Sequence, residues 1–523
     1  MKTVKIPAFC EEGVIINREN KGSLIIVFKD AQKESFDKYE KLFLSSGFVK
    51  KESFERNGHF YCAFMGEGLS YFMNFYEGLS ELYIVEEKGT LYFEHECAMG
   101  EVKCTPQITQ INLEDFGLSY VIRLSDGRFI IFDGGWDFEP DWIKLYNCLK
   151  TGANGERPRI AAWFLTHAHR DHFECFVGFM KLYGELVDID ALYYNFPEGD
   201  DIEHFPSLEK RAVAGEVDNS AGTYIGYLNE IIKQFSLKVY TTHSGQTYQI
   251  ADAKCEVLSS MDDAIHLTSD MNATSLVIRM ELAGQVILWM ADVSCSTANI
   301  AKKHGKHLKA DILQIPHHGF GCGKHEAEIE AYDLISAPTS FMPVAHYHGF
   351  ITFSIYKPGT RYVMTMPSTK EVIVGDPQRT INLPYTPKAE AKAELEKAIL
   401  RGIDNSGANT WVFSGLNTAN KEDLGFEILN MTQNSTAVVL IELFFTERTE
   451  KIRNIRVEVE GSTIKRIRFD DEDIDSEWTY YNPQSLKKKQ IVPNSPFAVR
   501  FISNLPIVVT NKNHKAAYYT PNR

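Results

Sequence analysis

The sequence lacks the features of an exported or membrane-spanning protein. Its first residues contain no basic stretch followed by an apolar core, which a secretory signal peptide requires. No run approaches the roughly 18 to 20 uncharged apolar residues that a membrane span needs. The nine cysteines are odd in number and include no C-x-x-C pair, which is typical of a reducing compartment. These absences predict a cytoplasmic protein that has no membrane partner.

The chain is also short of positive charge. Its 55 lysines and arginines stand against 70 aspartates and glutamates, which gives a formal net charge of −15. This balance disfavours a general electrostatic affinity for nucleic acid, although it does not exclude a local basic groove. The hydrophobic fraction of 44% and the charged fraction of 24% are those of a folded globular protein. A chain of 523 residues has room for about two to four domains.

Three segments differ in the pattern of their predicted elements. Residues 1–105 mix strands with a helix, which predicts an N-terminal α+β unit. Residues 106–385 alternate strands with helices, which is typical of a layered α/β domain. Residues 386–523 begin with a linker helix at 389–400 and continue with β-type runs, which predict a β-rich C-terminal domain. A dense aromatic group in the first segment indicates core packing or, alternatively, a wall over a ligand site: Tyr71, Phe72, Phe75 and Tyr76.

The most informative segment runs from Leu165 to His172, where an apolar strand ends and a helix begins. It places three histidines and one carboxylate within six residues. In an extended loop, His167 and His169 point the same way, because side chains alternate with a period of two. Asp171 and His172 then begin the helix, and their side chains point to a position next to the one that His167 and His169 share. The result is two neighbouring groups of nitrogen and oxygen donors, which suits two metal ions such as Zn²⁺.

This H-x-H-x-D-H segment resembles the signature of the metallo-β-lactamase superfamily. Two later stretches resemble other parts of that superfamily in the expected order: VILWMAD, which ends at Asp292, and PHHG, which contains His317 and His318. The PHHG stretch resembles the branch related to the hydrolase domain of competence protein ComEC and to phosphorylcholine esterases. The resemblance covers about residues 117–385 and implies a four-layer αββα sandwich.

The resemblance also implies roles for individual residues. His167, His169 and Asp292 would hold the first metal, with Asp292 bridging the two ions, and one of His317 and His318 would complete the second metal's shell. The other histidine of that pair would contact the substrate, or it would stabilise or protonate the departing oxyanion. The implied metal ligands are His167, His169, Asp171, His172, Asp292, His317 and His318.

Two carboxylates have further implied roles. Asp171 would be both a ligand and an acceptor for the nucleophile's proton. Asp133, in the turn FDGG, would hold the geometry of the ligands through hydrogen bonds.

The sequence departs from the superfamily at one ligand position. Many members have a further histidine where this chain has Asn272, in a stretch that resembles the N-N-x-S-L version of the ComEC-like branch. Since an amide oxygen is a weaker ligand than imidazole, the first metal is expected to bind loosely or with water. His346 and His348 follow a later predicted strand and are further candidates for ligands or substrate contacts.

Together these residues predict a metal-dependent hydrolase. Imidazole and carboxylate ligands allow a metal to lower the pKa of water from 15.7 toward about 7, which provides hydroxide at neutral pH. The expected cofactor is a pair of Zn²⁺ ions, with Mn²⁺ or iron as alternatives. The expected substrate is a small or medium phosphodiester or related ester. A nuclease of the same superfamily and a non-catalytic metal-binding scaffold are the alternative hypotheses, and the net charge counts against long polyanionic substrates.

Overall fold

The computed structural model contains two separate units, Met1–Leu395 and Glu396–Arg523. The residues that the structure describes are 13–18, 22–88, 96–197, 221–267, 270–293, 295, 298–320, 325–344, 357–376, 378–388, 410–430, 436–445, 452–470, 495–503, 507–512 and 517–518. His346, His348 and the predicted linker helix lie outside these residues, so they stay predictions. None of the helices in the described part is both long enough and apolar enough to cross a lipid bilayer.

The first unit contains both strands and helices. In chain order its described strands are β1 (Gly13–Arg18), β2 (Ser23–Phe28), β3 (Val49–Arg56), β4 (His59–Gly66), β5 (Leu69–Tyr76), β6 (Glu81–Lys88), β7 (Glu96–Cys97), β8 (Gln107–Gln110), β9 (Ser119–Arg123), β10 (Phe129–Asp133), β11 (Arg159–Phe164), β12 (Asp188–Ile189), β13 (Leu192–Tyr194), β14 (Val239–Thr241), β15 (Thr247–Ile250), β16 (Ala253–Ser259), β17 (Val277–Leu282), β18 (Gln285–Trp289), β19 (Ile312–Gln314), β20 (Thr339–Met342), β21 (Glu371–Val374) and β22 (Arg379–Asn382). The helices are α1 (Lys33–Ser45), α2 (Glu139–Gly152), α3 (Arg170–Tyr183), α4 (Ala221–Gln234), α5 (Ile300–His304), α6 (His325–Ile335) and α7 (Pro358–Thr365).

The first six strands form an antiparallel sheet in the order β1-β2-β6-β5-β4-β3. Alternate residues of β5 point to opposite faces, as the pleat of a strand requires. The ring of Tyr71 stacks on Phe43 of α1 with centroids 4.3 Å apart. Phe72 faces the other way and belongs to the core that this sheet shares with the rest of the unit, including Phe173 of α3. The aromatic group of β5 therefore packs into two cores.

Two eight-stranded sheets occupy the centre of the unit. The first has the order β14-β13-β11-β10-β9-β8-β22, with β12 paired to β11, and the second has the order β21-β20-β19-β18-β17-β16-β15-β7. They pack face to face through one hydrophobic cluster. Within it, Phe132 of the first sheet stacks on Trp289 of the second with centroids 4.6 Å apart. This arrangement confirms the α/β class.

Helices α2, α3 and α4 cover the outer face of the first sheet. Trp163 of β11 packs edge-on against Phe176 of α3, with centroids 4.9 Å apart. Strand β10 is apolar along nearly its whole length because both of its faces are buried. A helical layer and two sheets are thus in place, while the fourth layer of the predicted αββα sandwich stays a prediction.

Two parallel strand pairs determine where the loops that carry the candidate site residues emerge. Strands β10 and β11 run parallel, and so do β18 and β19. Loops that leave the carboxyl ends of parallel strands emerge at the same edge of a sheet, which is where open α/β sheets bind ligands. Asp133 is the last residue of β10 and Thr166 follows β11, while Asp292 follows β18 and His317 follows β19.

In the second unit, the described elements are mainly strands: β23 (Thr410–Asn417), β24 (Gly425–Asn430), β25 (Ala437–Phe445), β26 (Ile452–Val459), β27 (Ile464–Arg468), β28 (Pro496–Ser503), β29 (Ile507–Thr510) and β30 (Ala517–Tyr518). They form one sheet in the order β26-β25-β28-β23-β30 and another in the order β27-β24-β29. The two sheets share a single apolar core.

Candidate metal centre

A buried carboxylate at the end of β10 organises the loop after β11. Asp133 is fully buried and accepts hydrogen bonds from the backbone N–H of Thr166 (2.7 Å) and from the Thr166 hydroxyl (2.6 Å). It also accepts a hydrogen bond from Nδ1 of His172 at 2.7 Å. Burial raises the pKa of Asp133, although His172 and Thr166 act in the opposite direction. Because Nδ1 of His172 donates to Asp133, its Nε2 atom is available to a metal.

Four buried side chains converge beyond this carboxylate. The candidate ligand atoms of the four all lie within 4.8 Å of one another: Asp171, His172, Asp292 and His318. The two shortest distances run from Nε2 of His318 to Oδ2 of Asp171 (3.0 Å) and from Nε2 of His172 to Oδ2 of Asp292 (3.1 Å). Helix α3 and the segments that follow β18 and β19 supply these residues, so stretches distant in sequence build one site.

The structure distinguishes the two histidines of the PHHG stretch. His318 is buried, and its Nδ1 atom donates to the backbone oxygen of Pro343 at 2.7 Å, so its Nε2 atom faces the cluster. His317 is 24% exposed, and its Nε2 atom lies 4.0 Å from Oδ2 of Asp292. Both residues have positive φ values, 50° and 51°, which L-residues adopt uncommonly and which often mark functional sites. His318 is therefore the better candidate ligand, and His317 lies at the margin of the cluster.

A second group of donors adjoins the first. Nε2 of His167 lies 3.1 Å from Nδ1 of His169 and 3.2 Å from Oδ1 of Asn272. Burial lowers the pKa of His167 well below its usual value, and the neighbouring histidines lower it further, so this imidazole is neutral at pH 7. The backbone N–H of Asn272 donates to Asp270, and that of Leu276 donates to the backbone oxygen of Thr166, which ties the two loops together. The structure thus brings Asn272 beside His167.

In the four-residue cluster, the negative charges of the two aspartates favour protonation of the two histidines. Burial alone would lower the pKa of His318, but Asp292 and Asp171 raise it to about 10. The same carboxylates raise the pKa of His172 well above its usual value, despite burial. Burial opposes ionisation of Asp171 and Asp292, yet the histidines hold the pKa of each carboxyl below its ordinary value. A divalent cation would replace these protons as the source of positive charge.

The donor set fits such a cation. Imidazole nitrogens and carboxylate oxygens are ligands that Zn²⁺ accepts in a four-coordinate site. Two carboxylates offset the charge of one divalent ion, and the other ring nitrogen of His172 and of His318 is held by a fixed acceptor. Hydrogen bonds of that kind orient metal-binding histidines. The cluster is therefore compatible with metal binding.

Sequence reasoning missed three residues around the site. Thr166 directly precedes the first histidine, and its hydroxyl gives Asp133 a second donor. The backbone oxygen of Pro343 orients His318, and a backbone oxygen has no sequence signature. Burial raises the pKa of Asp115 to about 7, with the charge of Asp171 adding to the effect. Of the three, only Thr166 had a sequence signal, since a hydroxyl residue at the start of the motif can bond a neighbouring carboxylate.

No family model matches the chain, and no curated protein matches it. Among solved structures, a metallo hydrolase named Igni18 from Ignicoccus hospitalis is 10% identical over 54% of this chain and 100% of that chain, with a TM-score of 0.31. The flavodiiron protein of Giardia intestinalis is 9% identical over 59% of this chain and 61% of that chain, with a TM-score of 0.23. An Anabaena sensory rhodopsin transducer is 24% identical over 20% of this chain and 94% of that chain, with a TM-score of 0.15. These TM-scores are too low to assign a fold family.

Proposed function

We propose that this protein is a metal-dependent hydrolase that acts on a phosphodiester or a related ester. The observation that carries the proposal is the buried cluster of Asp171, His172, Asp292 and His318, with its ligand atoms within 4.8 Å of one another. The sequence motifs support hydrolysis, because they resemble the metallo-β-lactamase superfamily. Their resemblance to the ComEC-like branch supports a phosphorus ester as the substrate.

The four-residue cluster would hold one Zn²⁺ ion, with Mn²⁺ or iron as alternatives. The bound metal would supply a Lewis acid and would lower the pKa of water toward about 7. His167, His169 and Asn272 provide a second group of donors close together. This second group would hold an ion more weakly, because it contains an amide oxygen in place of a third imidazole.

The chain's own residues would then move the protons of the reaction. Asp171 presents Oδ2 inside the cluster and would accept the proton of the attacking water. His317 is partly exposed and lies 4.0 Å from Asp292, so it can reach a substrate without serving as a ligand. It would donate a proton to the departing oxygen. His318, in contrast, would stay a metal ligand throughout.

The test measures metal content together with hydrolysis of bis(p-nitrophenyl) phosphate. His169→Ala and Asp292→Ala should each lower the metal content and reduce kcat/KM at least about 100-fold. Loss of a residue that only supports a metal ligand lowers activity by up to about 100-fold, so loss of a ligand itself should cost at least as much. His266→Ala is the matched control, because this half-buried ring packs edge-on against Tyr83, outside the cluster. Its activity should stay within about twofold of the wild type, because the ring lies outside the cluster.

Three results would contradict the proposal in different ways. Purified protein that binds no transition metal would refute it, and so would full activity in His169→Ala. Bound metal without turnover of any ester would favour a non-catalytic scaffold. Cleavage of DNA without hydrolysis of the small diester would favour a nuclease.

A further inference from the structure

A row of aromatic rings leads away from the metal centre. We define this aromatic strip by Phe320, Phe116, Trp136 and Phe138. Neighbouring ring centroids along it are 5.8, 5.8 and 5.9 Å apart. The strip begins at the cluster itself, because the rings of Phe116 and Phe320 lie 5.4 and 5.6 Å from the ring of His318. It is therefore continuous with the candidate metal ligands.

Backbone contacts fix the strip relative to the metal loop. The indole N–H of Trp136 donates to the backbone oxygen of Phe116 at 2.7 Å. The backbone N–H of Leu118 donates to the backbone oxygen of Asp171 at 3.1 Å. Between them, Gly117 approaches the same oxygen so closely that a Cβ atom would lie 2.8 Å from it. The loop that carries Phe116 is thus held against a candidate ligand.

The strip differs from the aromatic core of the unit in its burial. Phe116, Phe138 and Phe320 are half-buried and Trp136 is 9% exposed, whereas core rings such as Trp289 are only 1% exposed. The guanidinium of Arg170 lies over Trp136, 5.0 Å from the ring centroid, and is paired with Glu174 at 2.6 Å. A half-buried aromatic surface beside a candidate metal site suits a ligand that combines an anionic group with a planar ring.

We infer that the aromatic strip binds a planar aromatic substituent of the substrate while the metal cluster holds its anionic ester group. This inference rests on the proposed function and names the substrate class as anionic esters that carry an aromatic group. Aromatic side chains stack against planar rings with little dependence on the ring's hydrogen-bonding groups. Phe116 and Phe320 would accordingly determine specificity without taking part in the chemistry.

The experiment compares phenylphosphonate with methylphosphonate, which share an anionic group and differ in the ring. Binding of each to the zinc-loaded full-length protein is measured by titration calorimetry. The wild type should bind phenylphosphonate about 10-fold more tightly than methylphosphonate, the size expected for one aromatic contact.

Phe116→Leu and Phe320→Leu should each lower this ratio of affinities below about 3, because leucine keeps apolar volume but offers no ring face. Phe60→Leu, a half-buried ring of the N-terminal sheet, is the control and should leave the ratio unchanged.

The ratio within each variant corrects for any general loss of folding, since both ligands meet the same protein. Equal affinities in the wild type, no binding of phenylphosphonate, or an unchanged ratio in both strip variants would overturn the inference. Because binding requires no turnover, the strip can fail while hydrolysis is retained. A preserved preference for the ring in a protein that hydrolyses no ester would refute the proposed function alone.

Discussion

Replacing Asp133 with asparagine tests how a buried carboxylate prepares His172 to bind metal. Asp133 accepts two hydrogen bonds from Thr166 and one from Nδ1 of His172. Asparagine keeps one acceptor oxygen but puts an NH₂ donor in place of the other. One of the present donors would then face another donor, or His172 would move its proton to Nε2. A proton on Nε2 would block the atom that lies 3.1 Å from Asp292.

We expect Asp133→Asn to weaken zinc binding 10- to 100-fold, about 1.4 to 2.7 kcal/mol, the usual cost of losing a contact that orients a ligand histidine. Competition with a chromophoric chelator measures this affinity. Asp262→Asn is the matched control, because Asp262 is also buried and bonds Nδ1 of His243 at 2.6 Å. It should lower stability while zinc affinity stays within about twofold. An unchanged affinity in Asp133→Asn, or an equal loss in Asp262→Asn, would refute the reasoning.

Three further predictions test other parts of the account. His318→Ala should remove bound zinc, whereas His317→Ala should keep the zinc and lower turnover, as metal analysis beside the diester assay would show. Asn272→His should raise the occupancy of the ion at His167 and His169, and a zinc titration with unchanged stoichiometry would contradict this. Burial would lower the pKa of His243, but the neighbouring carboxylates, Glu87 first, raise it to about 10. The stability that these carboxylates contribute is therefore complete below about pH 6.5 and is lost as the pH rises toward 10. Urea unfolding should show that His243→Gln lowers the free energy of unfolding less at about pH 9.5 than at about pH 6.5. The two losses should differ by at least about 1.4 kcal/mol, the value of one pKa unit. An equal loss at both pH values would count against the ion pair.

The local parts of the site could be predicted from the sequence because they lie close together along the chain. His167, His169, Asp171 and His172 occupy one loop and the start of one helix, so strand and helix periodicity already groups them. Bringing Asp292 to the same place needed the resemblance to a known family. Periodicity alone does not say which strand ends meet.

Other features depend on geometry that no short pattern encodes. Successive left-handed residues turn His317 and His318 in different directions, so the choice between them had to come from coordinates. The contact between His243 and Glu87 joins a loop to the N-terminal sheet, and each residue alone resembles an ordinary polar position. The aromatic strip likewise assembles from three separate loops. Long-range contacts of this kind leave no local signal.

Zinc titration of the chelator-stripped full-length protein, followed by calorimetry, tests the central claim most directly. The wild type should bind at least one ion per chain with a submicromolar Kd. The double variant Asp171→Asn, Asp292→Asn should lose that tight site, because both carboxylates of the cluster are removed. Circular dichroism would establish that the variant is folded. Absence of zinc binding in the wild type, or an identical isotherm in the folded double variant, would contradict the account.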